Sequence, residues 1–174
     1  MFQDRIHVMI DQDTLEKRIQ ELGKTISEEY AGKEILLVCI LKGGAMFMTQ
    51  LAKYITVPVT MDFMILSSYG NDLISTGTVS IKKDMDEDIE GKHVLVVEDI
   101  VDTGRTLWFL RELLKERKAA SVKICTMLDK PARRVVPVEV EYTGFEIEDE
   151  FVVGYGLDYE QHYRNLPYIG YVEV

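Results

Sequence analysis

Three carboxylates and a Thr-Gly-Arg-Thr turn follow one another in the run VLVVEDIVDTGRTL, from Val94 to Leu107. Val94 to Val97 are aliphatic without alternation, the pattern of a strand buried on both faces. Glu98, Asp99 and Asp102 then fall where a parallel strand opens into a ligand crevice. Thr103, Gly104, Arg105 and Thr106 lead into an amphipathic helix, whose first backbone N–H groups and dipole favour a phosphate. Glycine allows close approach there, and the threonine hydroxyls can donate. Carboxylates suit sugar hydroxyls or a cation, so the two halves are complementary. Glu98 and Asp99 are adjacent and diverge on a regular strand, so one or both must sit at its end to avoid burying charge. Asp102 is placed to act as a general base, although a helix start capped by Asp102 or Thr103 would look the same locally.

The turn lacks the G-x-G-x-x-G spacing of a dinucleotide site and the glycine spacing of a Walker loop. Lys42-Gly43-Gly44 follows the first apolar run and reaches the same sheet edge, where its glycines can turn amides toward an anion. Lys130 and Arg164 are further candidate cations, and Asp158 adds a carboxylate on a loop. His7, His93 and His162 are scattered, so zinc chemistry has no support. Cys39 and Cys125 lie inside strand-like runs and read as reduced core thiols.

These groups need a scaffold, and 174 residues suffice for one domain with one core. Leu15, Ile19, Leu22, Ile26 and Tyr30 recur at helical spacing and predict a helix over 14–30, with Asp13 and Glu16 as its capping pair. Residues 35–41 read as a buried strand, 45–55 as a helix and 57–66 as a second strand, a βαβ unit. Leu107, Leu110, Leu113 and Leu114 form the buried stripe of the next helix, with Arg111, Lys115 and Arg117 on its wet side. Trp108 and Phe109 read as packing residues or part of a subunit contact. Residues 121–127 predict another strand, and 135–140 with 151–153 a last strand group. The expected class is α/β, an open mostly parallel sheet with helices on both faces.

Residues 67–92 break that rhythm and read as an exposed two-stranded flap or lid, within which the acidic cluster from Asp84 to Glu90 is a solvated turn. A formal charge of -10 argues against a protein that grasps a nucleic-acid backbone. The longest aliphatic run, 35–41, is too short to cross a bilayer, and the first residues lack an export-signal profile. The expected location is the cytoplasm, with no membrane partner.

Leu41-Lys42-Gly43-Gly44, Ser68-Tyr69-Gly70, VVEDIVDTGRTL, Lys130 and FVVGYGLDYEQHYRNLP together resemble the 6-oxopurine (hypoxanthine-guanine) phosphoribosyltransferases in their bacterial short form. The resemblance spans nearly the whole chain, with the motifs in the family's order. It implies the type I phosphoribosyltransferase fold in a single domain over 1–174, with a flexible lid at 67–92 and a hood built from the N-terminal residues and about 130–174. It implies purine salvage: transfer of the 5-phosphoribosyl group from phosphoribosyl diphosphate to N9 of hypoxanthine or guanine, giving IMP or GMP and diphosphate, with Mg2+.

By the same resemblance, Glu98 and Asp99 hold the ribose hydroxyls directly or through the cation, and Asp102 is the general base near N7. Residues 103–106 wrap the 5-phosphate. Lys42 and Gly43 meet the diphosphate through a cis bond between Leu41 and Lys42, and Arg164 also contacts diphosphate. Lys130 donates to O6, Phe151 stacks on the base, the Val152 backbone reads its edge, and Asp158 joins Glu98 and Asp99 as a metal ligand. Ser68 and Tyr69 close over the site and keep water from the oxocarbenium-like transition state. A homodimer or homotetramer is expected. Two competitors stay open. One is the same fold acting on xanthine or a pyrimidine. The other is a ligand-sensing regulatory protein on this fold, which would need a damaged base-reading half or an exposed basic face.

Overall fold

The protein is described by a computed structural model covering residues 5–68 and 79–172. Strand β1 (Ile6–Ile10) leads into helix α1 (Gln12–Glu29), then β2 (Ile35–Ile40), α2 (Ala45–Ala52) and β3 (Val59–Ser68). Next come β4 (Val79–Lys83), β5 (His93–Val101), α3 (Arg105–Glu116), β6 (Ser121–Asp129) and a single 3-10 turn, Pro131–Arg133. Strands β7 (Tyr142–Glu146), β8 (Val152–Val153) and β9 (Ile169–Val172) complete the described chain.

Six strands form the main sheet in the order β4-β3-β2-β5-β6-β7, parallel throughout except where β4 runs back along β3. All six residues of β2 are buried because both faces are covered. Ile35, Leu37 and Cys39 pack with Leu15, Ile19 and Ile26 of α1 and Phe47 and Leu51 of α2. Leu36, Val38 and Ile40 pack on the other side with Leu107, Leu110 and Leu114 of α3. The chain leaves β2 toward β3 on one side and β5 toward β6 on the other. The gap between the carboxyl ends of β2 and β5 is therefore a topological switch point, where an open α/β sheet offers a ligand crevice. A second sheet, β1-β9-β8, joins the beginning of the chain to its end.

Several local expectations change. The N-cap of α1 is Asp11, whose Oδ1 accepts from the Thr14 N–H at 2.8 Å, rather than Asp13 with Glu16. Strand β3 lies two residues later than the predicted 57–66. Residues 135–140 form no strand; the carbonyl of Thr103 accepts from the N–H groups of both Val135 and Val136, which wraps that segment beneath the start of α3. Trp108 is 47% exposed and does not pack in the core. Arg111 is buried rather than on the wet side, with Nη2 bonded to both Glu141 oxygens at 2.6 and 2.7 Å.

The excursion after β3 is part hairpin and part anchored turn. Residues 65–68 pair antiparallel with 79–83. Beyond β4, the buried carboxylate of Asp62 accepts from the N–H groups of Asp86 and Glu87 at 2.9 Å each, while Asp84 pairs with Arg117. The first half of the acidic turn is thus tied to the body. Tyr69 and the tip of the expected lid lie outside the described residues, and so does the Ser68 side chain.

Candidate active site

Strand β5 outruns its neighbour: pairing with β2 ends at Cys39 and Val97, while pairing with β6 continues to Val101 and Asp129. Glu98 and Asp99 therefore stand on regular strand yet face the loop after β2. They do not diverge as expected. The Glu98 carboxylate folds back to accept from the Asp99 N–H at 3.0 Å, and Asp99 accepts from the Ile100 N–H at 2.7 Å. Burial first, then the neighbouring Asp99 charge, pushes the Glu98 carboxyl well above its ordinary range; burial also raises Asp99. This is a site short of positive charge.

The loop opposite is built for contact. The Leu41–Lys42 peptide is cis, and any Cβ on Gly43 would overlap the Asp99 carboxylate. Gly156, with φ +99°, lies against the Gly43 carbonyl in the same way. The segment around Asp158 is thereby seated on the loop after β2. Lys42 Nζ donates to Gln161 Oε1 at 3.0 Å, and Arg164 Nη2 donates to the same oxygen at 3.3 Å. Arg164 also pairs with Asp158 at 2.9 Å and donates to the Gly156 carbonyl at 2.7 Å. Two cations thus converge on one neutral amide oxygen, an acceptor that an anion can replace. Asp158 is engaged with Arg164 and the Gln161 N–H, and among the described residues it does not close a three-carboxylate cluster with Glu98 and Asp99.

A cleft of about 140 Å³ runs from Glu98 past Asp102 to Leu107. At its far end Gly104 adopts φ +85°, which a side chain would strain, and has no side chain to cap α3. The Thr103 hydroxyl oxygen accepts from the Arg105 N–H at 3.4 Å, a long contact that caps the helix start weakly, and Arg105 and Thr106 complete a helix start whose dipole favours an anion. A larger groove of about 310 Å³, lined by Gly32, Lys33, Lys92 and His93, opens at the opposite end of the strands, away from this chemistry.

The third wall comes from the end of β6 and the second sheet. The Lys130 N–H donates to the Val101 carbonyl at 3.0 Å, which fixes the lysine beside the end of β5. Its side chain is only 11% exposed, and Nζ donates to the Glu150 carbonyl at 2.5 Å. The next residue, Phe151, presents a largely exposed ring edge-on to Tyr159, 5.7 Å between centroids. Val172 donates its N–H to the Phe151 carbonyl, so the neighbouring pair, Val152 with Tyr171, is the non-bonded kind. Val152 therefore turns its own N–H and C=O to the free edge of the sheet.

Three charged or polar groups here were not singled out from sequence: Gln161, Arg133 and Asp149. Arg133 Nε donates to Asp102 Oδ1 at 3.0 Å and Nη1 approaches Asp149 at 3.5 Å. The two partners of Arg133 are 31 and 16 positions away, out of reach of any local pattern.

The switch-point crevice thus sets a buried acid pair, suited to hydroxyls or a cation, beside a helix start and a glycine-rich cationic loop, both suited to phosphate. The chain belongs to the phosphoribosyl transferase domain family, which matches residues 9–160. It is 54% identical over 163 residues to a hypoxanthine-guanine phosphoribosyltransferase of Streptococcus pneumoniae, covering 94% of this chain and 91% of that one. It is 53% identical over 169 residues to a hypoxanthine phosphoribosyltransferase of Salmonella typhimurium, covering 96% and 95%. The crystal structure of a hypoxanthine phosphoribosyltransferase from Staphylococcus aureus superposes with a TM-score of 0.94 at 47% identity, covering 98% of this chain and 93% of that one.

Proposed function

We propose that this protein transfers the 5-phosphoribosyl group of phosphoribosyl diphosphate to N9 of hypoxanthine or guanine, forming IMP or GMP and releasing diphosphate, as a purine-salvage enzyme of the cytoplasm. The observation that carries this reading is a buried ammonium, Lys130, joined through Arg133 and Asp149 to the Asp102 carboxylate at the mouth of the phosphate cleft. The two ends suit the adjacent O6 and N7 of a 6-oxopurine.

In this reading the helix-start amides and the hydroxyls of Thr103 and Thr106 bind the 5-phosphate. Glu98 and Asp99 accept from the ribose hydroxyls. Lys42 and Arg164 exchange the Gln161 amide for the diphosphate, which the Gly43 N–H also meets. Phe151 stacks on the base while the Val152 backbone reads its edge. Asp102 accepts the N7 proton as N9 bonds to the anomeric carbon, and Lys130 holds O6. A lysine donor meets the amino group of adenine with donor against donor, and a buried donor left unpaired penalises that base. Ser68 and Tyr69 are assigned the closing lid.

Magnesium fits the donor set. It favours one or two carboxylates completed by water and substrate oxygens, and the buried Glu98–Asp99 pair, with both carboxyls raised, is relieved by positive charge. Asp158 is assigned as a further ligand once Arg164 turns to the diphosphate. The cation's contribution is to neutralise the departing diphosphate. We also assign a homodimer or homotetramer, which would cover the exposed Met46 and Met61. No helix among the described residues is long and apolar enough to cross a membrane.

The test is steady-state nucleotide formation from phosphoribosyl diphosphate and magnesium with hypoxanthine, guanine, xanthine, adenine and uracil in parallel. Turnover of hypoxanthine or guanine but not adenine, with kcat reduced about 100-fold or more in Asp102→Asn, is the expected result. No turnover of any base despite donor binding would overturn it in favour of a ligand sensor.

A further inference from the structure

Four side chains of alternating charge run across the base-reading wall. Lys130 Nζ lies 3.5 Å from Asp149 Oδ1. The other Asp149 oxygen lies 3.5 Å from Arg133 Nη1, and Arg133 Nε donates to Asp102 Oδ1 at 3.0 Å. The arrangement is set by backbone as well as by long side chains. Lys130 precedes a 3-10 turn begun by Pro131, and the Arg133 N–H returns to the Lys130 carbonyl at 3.0 Å. Residues three apart eclipse in such a turn, so both cations project from the same side. Asp149 is brought over them by the Ile147 N–H, which donates to the Asp129 carbonyl at 2.9 Å.

We propose that Arg133 and Asp149 are positioning residues that couple the two ends of the base site, so that engagement of the 6-oxo group by Lys130 releases Asp102 to serve N7. This rests on the roles proposed above for Lys130 and Asp102. Without a purine, Asp149 is shared by Lys130 and Arg133, and Arg133 is shared by Asp149 and Asp102. A guanidinium can bridge two carboxylates because its donors form a planar fork; an ammonium offers a single point of charge. Asp102, then Asp149, hold the Arg133 guanidinium above its ordinary pKa, in keeping with a cation that faces both acids.

When Lys130 turns to an oxo group, Asp149 is left to Arg133 alone. The guanidinium is drawn toward Asp149, and the Oδ1 lone pairs of Asp102 become free for the N7 proton. A base with a poor acceptor at position 6 leaves Lys130 on Asp149 and Asp102 clamped. Discrimination is then exerted on kcat as well as on binding. Arg133 and Asp102 are 49% and 45% exposed, so each link is a screened ion pair, and effects of roughly three- to fivefold are the appropriate scale.

The test compares hypoxanthine with its 6-thio analogue, whose sulfur accepts hydrogen bonds weakly, in the wild type, Arg133→Met, Arg133→Lys, Asp149→Asn and the Arg133→Met/Asp149→Asn double variant. Arg133→Met frees Asp102 for every base, so the kcat ratio of hypoxanthine to the thio analogue falls about three- to fivefold, with the KM for phosphoribosyl diphosphate unchanged. Arg133→Lys keeps the charge without the bridge and falls between. Asp149→Asn leaves Arg133 on Asp102 and lowers kcat for both bases, while the double variant behaves as Arg133→Met. A merely structural role would scale both bases equally in every variant, and that result, or no change at all, overturns the coupling. Absence of turnover in the wild type would instead overturn the function on which the coupling rests.

Discussion

Replacing Lys130 by glutamine isolates what the buried ammonium contributes to base choice. An ammonium carries three donors. One goes to the Glu150 carbonyl at 2.5 Å, while Asp149 is only faced at 3.5 Å, so a purine O6 can be engaged with the Glu150 contact kept and the longer approach to Asp149 given up. A hydrogen bond from a charged donor contributes about 1.5–3 kcal/mol. With the side chain only 11% exposed, the loss belongs in the middle of that range or above. About 2 kcal/mol corresponds to roughly 30-fold in kcat/KM. Glutamine keeps a weaker donor for O6 and gains a carbonyl that can accept from the amino group of adenine. The expected result is a fall of roughly 30-fold for hypoxanthine with adenine unchanged or improved, so the discrimination ratio contracts by at least that factor. The assay is nucleotide formation from each base at saturating phosphoribosyl diphosphate and magnesium, with the donor KM as an internal control. Equal losses for hypoxanthine and adenine would refute the argument, because they would mean that Lys130 supports the wall without reading the base.

Two further outcomes follow from buried charge. Arg111→Met should lower stability in urea unfolding by about 3 kcal/mol, since it strands the largely buried Glu141 carboxylate, whose side chain is 17% exposed. Arg111→Met/Glu141→Gln should recover more than half of this, because the amide oxygen still accepts from the Ile124 N–H that Glu141 serves at 2.7 Å; no recovery would refute it. The Glu98 carboxyl is raised by burial and by Asp99 from an ordinary value of 4.5. Above 4.5 the unfolded chain gives up a proton that the folded protein keeps, so stability of the ligand-free protein falls as pH rises through that window, and below it the two states are equally protonated. Glu98→Gln should flatten this slope in unfolding series between pH 5 and pH 8, and an unchanged slope would assign the pH dependence to another group.

What was legible in the sequence is what a local run can carry. The central strands were readable because residues buried on both faces must be apolar without alternation, as in Ile35–Ile40. The switch point was readable because the two turns that line it are each contiguous. Arg111 reads as a wet-side residue by type, yet it lies four residues after Leu107 and three before Leu114, on the buried stripe, and the carboxylate that permits its burial is 30 residues away. The run VVPVEV at 135–140 carries strand-like residues, yet its first two N–H groups go to the Thr103 carbonyl, a contact set by the loop it supports. Strand β1, IHVMI, has strand character, but nothing local marks it as paired, because its partner β9 lies more than 150 residues away.

The same division runs through the site. Each predicted residue sits in a short motif, but contacts that set its state are long-range: Lys42 to Gln161, Lys130 to Asp149, and Asp102 to Arg133. All of these contacts hold a charged group in place with a partner that a ligand of the proposed kind would displace or loosen. The residues that a motif cannot reveal are therefore those that hold the ligand-free state, and they have no need to be near their partners in sequence. The register of the sheets brings them there, through the overrun of β5 past β2 and the return of β9 to β1. Recognition of the ligand is written locally, whereas control over when each group becomes available is written in the topology.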